Sequence, residues 1–289
     1  MLRRAVRVRR DDADVVLAQL TELAPLGVEE ADADGLIEFA VYGEADALPT
    51  EDALRTLLGD ALVAVVDGAV ADDWDVRWMT FHEPVLIADR LYVRPPWADR
   101  YAGDRPGVRD LAVDPAQAFG TGGHATTRLC LELLVALADE DDAAHGPVLD
   151  LGCGSGVLAV AAAQLGWGPV HGVDNEPQSV AATIENAELN DVTVTATGFD
   201  LLRDGPAGMP PEAHDDGRPP LILANLLRPL LLRVASDGFA DPQPHAVIAS
   251  GLLVHEVDGI VRAFTPLGLV EGERRESGDW AAVLLRQGG

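Results

Sequence analysis

Three groups of residues in this chain have types and spacings suited to chemistry. The first is Asp150-x-Gly152-x-Gly154-x-Gly156, an acid leading three alternate glycines. Alternate glycines let a ligand lie against bare backbone where a Cβ would block it. Between a strand and a helix, such a turn is expected to gather free backbone N–H groups at the positive end of the helix dipole. The second group is the loop DPAQAFGTGGHATT, Asp114 to Thr127, whose hydroxyls and N–H groups can close over a bound molecule. The third is a pair of polar residues at predicted strand ends, Asp174 and Asn225. Open α/β sheets bind ligands outside the carboxyl ends of their strands.

Spacing decides which ligand. A dinucleotide fingerprint places glycines first, third and sixth, but the sixth position from Gly152 is Val157. An acid at Asp150 would repel a pyrophosphate and suits a cationic amino-acid group instead. S-adenosylmethionine (AdoMet) carries a sulfonium, an ammonium and a carboxylate, and no phosphate. Asp174, 22 residues after Gly152, can accept hydrogen bonds from both ribose hydroxyls. Methyl transfer from a sulfonium needs an unprotonated nucleophile held close and in line, rather than an acid–base pair.

The candidate cofactor contacts are therefore Phe119, Thr126, Thr127, Asp150, Gly152, Gly154, Asp174 and Asn225. Asn225 is also the candidate catalytic residue, accepting a hydrogen bond from the nucleophile's N–H. It continues into Leu226-Leu227-Arg228-Pro229, not the NPPY pattern of glutamine and adenine methylation. Asp200 is a candidate neighbour of the adenine and His124 a candidate base. The plainer alternatives are helix caps at Asp174, Thr126 or Thr127 and a solvated loop histidine.

These residues need a sheet to hold them, and the pattern supplies one. From Val108 onward, strands alternate with helices: Thr126–Leu137, Val148–Leu151, Val157–Leu165, Pro169–Val173, Pro177–Asn190, Val192–Thr197, Leu221–Ala224, Pro229–Phe239, Ala246–Ser250 and Val254–Phe264. An acidic loop, Asp139–Asp142, follows the first helix. Two last strands, Leu269–Arg274 and Ala281–Leu285, flank a polar turn. The expected fold is α/β: a class I methyltransferase, Rossmann-like, mostly parallel sheet with an antiparallel C-terminal hairpin. Ahead of it, residues 1–68 read as a small α+β domain of β-α-β-β-α-β order, that is, ferredoxin-like. Its elements are Ala5–Val8, a helix to Leu23, Leu26–Glu30, a turn Ala31–Gly35, Leu36–Tyr42, a helix capped by Thr50, and Ala61–Val66. Residues 69–84, with Trp74 and Trp78, read as a linker, and 85–289 as the catalytic domain.

Composition narrows the partners. Acids outnumber bases 48 to 21, giving a net charge of −27, and every base is arginine. That charge argues against nucleic acid and suits a basic protein. Cys130 and Cys153 have no metal-ligand or disulfide spacing, and no apolar run reaches membrane-spanning length. A soluble, cytoplasmic, metal-free monomer is the expectation.

AFGTGGHATT, VLDLGCGSGVLAVAA, GVDNEP, ANLL and SGLL together resemble the PrmA family, bacterial methyltransferases of large-subunit ribosomal protein L11. The resemblance extends to DDWDVRWMTFHEP and LYVRPPW, and so from about residue 72 onward. It implies AdoMet contacts at Thr127, Gly152, Asp174 and Asn225, and methylation of lysine ε-amines and a terminal α-amine. It also implies that the N-terminal domain recognises the substrate. Gly123 and Ala125 stand where the family usually has Thr and Pro, and the insertion at about 203–220 is longer than usual. Methylation of another protein or a small amine, or silent AdoMet binding, are the other readings of the same site.

Overall fold

The computed structural model describes residues 2–13, 16, 20, 28–33, 35–43, 48–69, 83–114, 124–140, 145–205 and 217–288. Residues 70–82 of the predicted linker (with both tryptophans), Phe119 and the centre of the insertion lie outside them; the linker's first residue, Ala69, ends a strand. The chain divides into two compact units, Met1–Phe81 and His82–Gly289.

The first unit holds strands β1 (Leu2–Val8), β2 (Glu29–Ala33), β3 (Leu36–Gly43) and β4 (Leu62–Ala69), with helix α1 (Glu51–Leu58). The sheet order is β2-β3-β1-β4, antiparallel throughout. Val6, Val8, Ile37 and Phe39 pack with Leu54 and Leu58 of α1 and with Val16 and Leu20. Thr50 caps α1 as its sequence predicts, its side chain accepting from Ala53 N at 3.2 Å. The turn expected at Ala31–Gly35 is shorter: Ala31 to Ala33 are paired strand, opposite Glu38 to Leu36. Cross-strand pairing outweighs the local turn preference there.

The second unit opens with β5 (Val85–Ile87) and β6 (Leu91–Arg94), a hairpin turned by Ala88 and Asp89 at positive φ. Strand β7 (Arg109–Ala112) runs parallel to β6. There follow α2 (Ala125–Glu140), β8 (Val148–Leu151), α3 (Val157–Gln164), β9 (Val170–Asp174), α4 (Pro177–Leu189), β10 (Thr195–Gly198) and α5 (Leu201–Asp204). The chain ends with β11 (Leu221–Asn225), α6 (Arg228–Asp237), β12 (Ala246–Leu253), α7 (Val257–Phe264), β13 (Leu269–Ser277) and β14 (Trp280–Gln287). Sheet order is β10-β9-β8-β11-β12-β14-β13. The first five strands are mutually parallel, and β14 and β13 close the sheet antiparallel.

Both faces of this sheet are covered, which is why its central strands are continuous apolar runs. Leu221 and Leu223 face a core shared with α2 and α3, while Ile222 and Ala224 face one shared with α6 and α7. Each such leucine or isoleucine contributes roughly 1.5–3 kcal/mol by burial. Helix α3 is apolar all round, Val157 to Ala162 being buried, so it lies inside the unit. Among the described residues no helix is long and apolar enough to cross a membrane.

Of the boundaries that differ from the sequence pattern, three show their local causes. Helix α2 runs on to Glu140, into the start of the predicted acidic loop, where Asp139 pairs with Arg90 and Glu140 with Arg286. Strand β10 starts at Thr195 rather than Val192. The end of α4 continues as a cap, Val192 N reaching Ala187 O at 3.1 Å past Asp191 at positive φ. Strand β12 runs on to Leu253, turning at Gly251.

Candidate functional site

The glycine turn leaves β8 at the carboxyl edge of the sheet. Gly152, Gly154 and Gly156 take φ values of 69°, 54° and 77°, where side chains are strained. Crowding adds to this. A Cβ on Gly152 would stand 2.6 Å from Leu226 Cδ2, and one on Gly156 2.8 Å from Thr183 Cα. The sequence suggests that the turn presents free N–H groups, and here the structure corrects it. Gly152 N and Cys153 N donate to Val173 O at 2.8 and 3.0 Å, Gly154 N to Asp174 Oδ2 at 3.0 Å, and Gly156 N to Cys153 O at 2.7 Å. A turn this close to β9 must satisfy its donors at once, since a buried unpaired N–H is costly. What it offers is a bare backbone wall, with four of its donors already spent.

Asp174 ends β9 and sits half-buried. Its Oδ1 accepts from Glu176 N at 2.9 Å and its Oδ2 from Gly154 N. Both oxygens keep lone pairs for a further donor. The helix-cap alternative does not hold: Glu176 is the N-cap of α4 and no side chain caps it, so the Asp174–Glu176 bond closes a turn ahead of the helix and leaves the ligand reading open.

Asp150 has a different neighbour from the cation its charge suggests. It is buried, and its Oδ2 accepts from Ala159 N at 3.2 Å, capping α3 from the strand behind it. Burial pushes its pKa up to about 7; the Ala159 N–H opposes this and the charge of Asp174 adds to it. Against ~3.9 for an unfolded aspartate, the folded state holds the proton more tightly. Stability is thus complete below about pH 4 and is lost as pH rises through 7. Asp150→Asn keeps an acceptor for Ala159 and removes the charge. Its stability relative to the parent chain should rise between pH 4 and 7, reaching about 4 kcal/mol and levelling off above. Denaturant titrations across that range test this, and a pH-independent difference would contradict it.

Asn225, the last residue of β11, lies in register with Ser250 of β12. Its Nδ2 donates to Thr127 Oγ1 at 3.2 Å, and among the described residues no bond reaches its Oδ1. The hydroxyl of Ser250 is shared between Thr126 O at 3.2 Å and Ala281 O at 3.0 Å. Thr126 Oγ1 lies 2.8 Å from His124 Nδ1, and the His124 ring meets Trp280 edge-on at 5.1 Å. Helix α2 starts at Ala125, so Thr126 and Thr127 lie inside its first turn, buried, and neither stands at the capping position. Although His124 as a residue is solvent-exposed, partial desolvation of its ring lowers its pKa and favours the neutral form. The sheet edge thus gathers Asn225, Thr127, Thr126, Ser250, His124 and Trp280 into one linked group.

Sequence reasoning missed the residues that pin the loops. On α4, Thr183 Oγ1 donates to Gly154 O at 3.1 Å and Asn186 Nδ2 to Ser155 O at 2.8 Å. Asn186 Oδ1 also accepts from Asp114 N at 2.9 Å, and Asn190 Oδ1 from Ala112 N at 2.8 Å. One helix therefore fixes both the glycine turn and the root of the loop that begins at Asp114. The signal was present: Thr183, Asn186 and Asn190 recur at three and four residues, one helical face. Ser250 stood out only as the first residue of SGLL, with no role attached, and Trp280 had no signal. Asp200 caps α5, its Oδ1 accepting from Leu202 N at 2.9 Å and Arg203 N at 3.2 Å. Phe119 and Gly123 lie outside the described residues. Cys130 and Cys153 are buried free thiols.

A family model described as "Ribosomal protein L11 methyltransferase (PrmA)" matches residues 22–288. The chain is similar to the ribosomal protein L11 methyltransferase of Pelotomaculum thermopropionicum, 35% identical over 268 residues, covering 89% of this chain and 82% of that one. That of Geobacter metallireducens is 36% identical over 218 residues, covering 75% and 67%. Among solved structures, the ribosomal protein L11 methylase of Lactobacillus delbrueckii subsp. bulgaricus superposes with a TM-score of 0.59 at 27% identity. It covers 71% of this chain and 99% of that one.

Proposed function

The chain belongs to the ribosomal protein L11 methyltransferase (PrmA) family and is an AdoMet-dependent protein methyltransferase; on that premise we propose that it methylates lysine ε-amines and the N-terminal α-amine of L11. The observation that carries this reading is the Asn225–Thr127 bond at the carboxyl end of β11. It fixes the amide so that Oδ1 is the acceptor left over, as an amine's N–H requires. A neutral amine aligned by that bond keeps its lone pair for the reacting carbon.

The residues also fit the cofactor. A glycine turn whose donors are spent inside the protein suits a ligand without phosphates, and Asp174 retains acceptor capacity for ribose hydroxyls. Gly152 and Gly154 would form the wall behind it, and Phe119, Thr126 and Thr127 are assigned to its amino-acid end. Asp150 supports this site from behind, through α3. When bound, AdoMet supplies the methyl group, its S–C bond breaking as the amine's lone pair forms the N–C bond. Deprotonation is left to solvent, helped by desolvation of the amine.

We assign residues 1–68 to a ferredoxin-like substrate-recognition domain, 69–84 to a linker and 85–289 to the catalytic domain. With a net charge of −27 the chain would draw a basic ribosomal protein toward it and repel RNA. A cytoplasmic monomer suffices for this chemistry. Incubation with radiolabelled AdoMet and the ribosomal proteins of the source organism tests the proposal. Label in L11 is the expected result; label confined to other proteins would overturn the substrate. Calorimetry showing NAD binding without AdoMet binding would overturn the cofactor as well.

A further inference from the structure

Trp280 and His124 form an aromatic corner that the reaction as described leaves unused. They come from distant elements, the start of β14 and the residue before α2, and meet with ring centroids 5.1 Å apart and planes at 69°. Three links tie the corner to Asn225. Ser250, in register with Asn225, shares its hydroxyl between Ala281, the neighbour of Trp280, and Thr126. Thr126 bonds the His124 ring, and Thr127 bonds Asn225 itself. Trp280 is half-buried, packing partly on the core, while His124 is exposed.

We infer that the Trp280–His124 corner is the wall against which the substrate ammonium, free or already methylated, is held beside Asn225. The inference rests on the methyltransferase reading above. Its chemistry is general. An amine arrives protonated and each transfer returns it to a cation, which must shed a proton to solvent before it can react again. An indole face attracts such a cation electrostatically, and most strongly where water is excluded. Methylation makes the ammonium larger and more weakly hydrated, so the same face suits each later form. A neutral imidazole completes the corner without repelling the charge.

The test compares Trp280→Leu, which keeps apolar bulk without a π-face, with Trp280→Phe, which keeps the face. Steady-state kinetics on L11 and mass spectrometry of its products are the readouts, with AdoMet titration as the check on folding. Trp280→Leu should raise the KM for L11 about tenfold and shift the products toward monomethyl forms at equal total transfer, with the AdoMet Kd within about twofold. Trp280→Phe should recover most of both. A Leu variant with the parent's KM and product pattern would overturn the inference, as would Leu and Phe variants equally impaired. Should Trp280→Leu not fold, His124→Ala reads the same corner. A two- to fivefold shift in the same direction is expected there, and no shift overturns it. Failure of the parent chain to methylate L11 would instead overturn the reading beneath.

Discussion

Asp174→Ala is expected to weaken AdoMet binding by a hundredfold or more. The carboxylate is fixed at the end of β9 by two backbone donors, Gly154 N and Glu176 N, and in the proposed site its remaining lone pairs meet two ribose hydroxyls. A hydrogen bond to a charged group contributes about 1.5–3 kcal/mol, so losing two costs at least 3 kcal/mol, or two decades in Kd. Alanine also leaves Gly154 N and Glu176 N without partners, which costs roughly 1–3 kcal/mol for each that stays buried. The variant should therefore melt several degrees lower even without ligand. Asp174→Asn, which keeps one carbonyl acceptor, should fall between the two in affinity. Calorimetry with AdoMet decides the matter: binding within threefold of the parent in Asp174→Ala would exclude Asp174 from the cofactor site.

The order of elements in the larger unit was legible because parallel strands buried on both faces must be apolar runs, and the glycines punctuate them. The residues at strand ends were legible for the same reason, since Asp174 and Asn225 are the polar residues that terminate such runs. What could not be read was where each donor goes. Asp150 carries a charge that invites a cationic ligand, yet a side chain in the middle of a buried strand faces whatever packs there, and that is the first turn of α3. The N–H groups of the turn look available in one dimension and in three are spent on β9 and, at Gly156, within the turn itself. The roles of Ser250 and Trp280 depend on register between β11, β12 and β14, which no local pattern encodes. Thr183, Asn186 and Asn190 were within reach, because a polar stripe on a helix otherwise packed on the sheet must be bonding to something.

Asn225→Ala should slow methyl transfer about 10²- to 10³-fold while moving the AdoMet Kd by no more than about threefold. Positioning is the reason for the asymmetry. The side-chain amide is held by Thr127, at the end of a strand locked in register with β12, so its free carbonyl oxygen has one direction to offer. Alanine leaves the cofactor's other contacts in place and removes the group that orients the amine. Thr127→Val, which deletes the acceptor for Nδ2 and leaves Asn225 present but unfixed, should lose a smaller factor, about tenfold. Asn225→Asp separates orientation from charge. It keeps an acceptor, but a carboxylate beside an amine favours the ammonium, which has no lone pair to give. Its rate at neutral pH should be low and should climb as pH rises, with the rate profile displaced to higher pH than the parent's. Single-turnover rates across pH on L11 would show this. An Asn225→Ala variant that lost AdoMet binding as fully as Asp174→Ala would mean that Asn225 serves the cofactor rather than the amine.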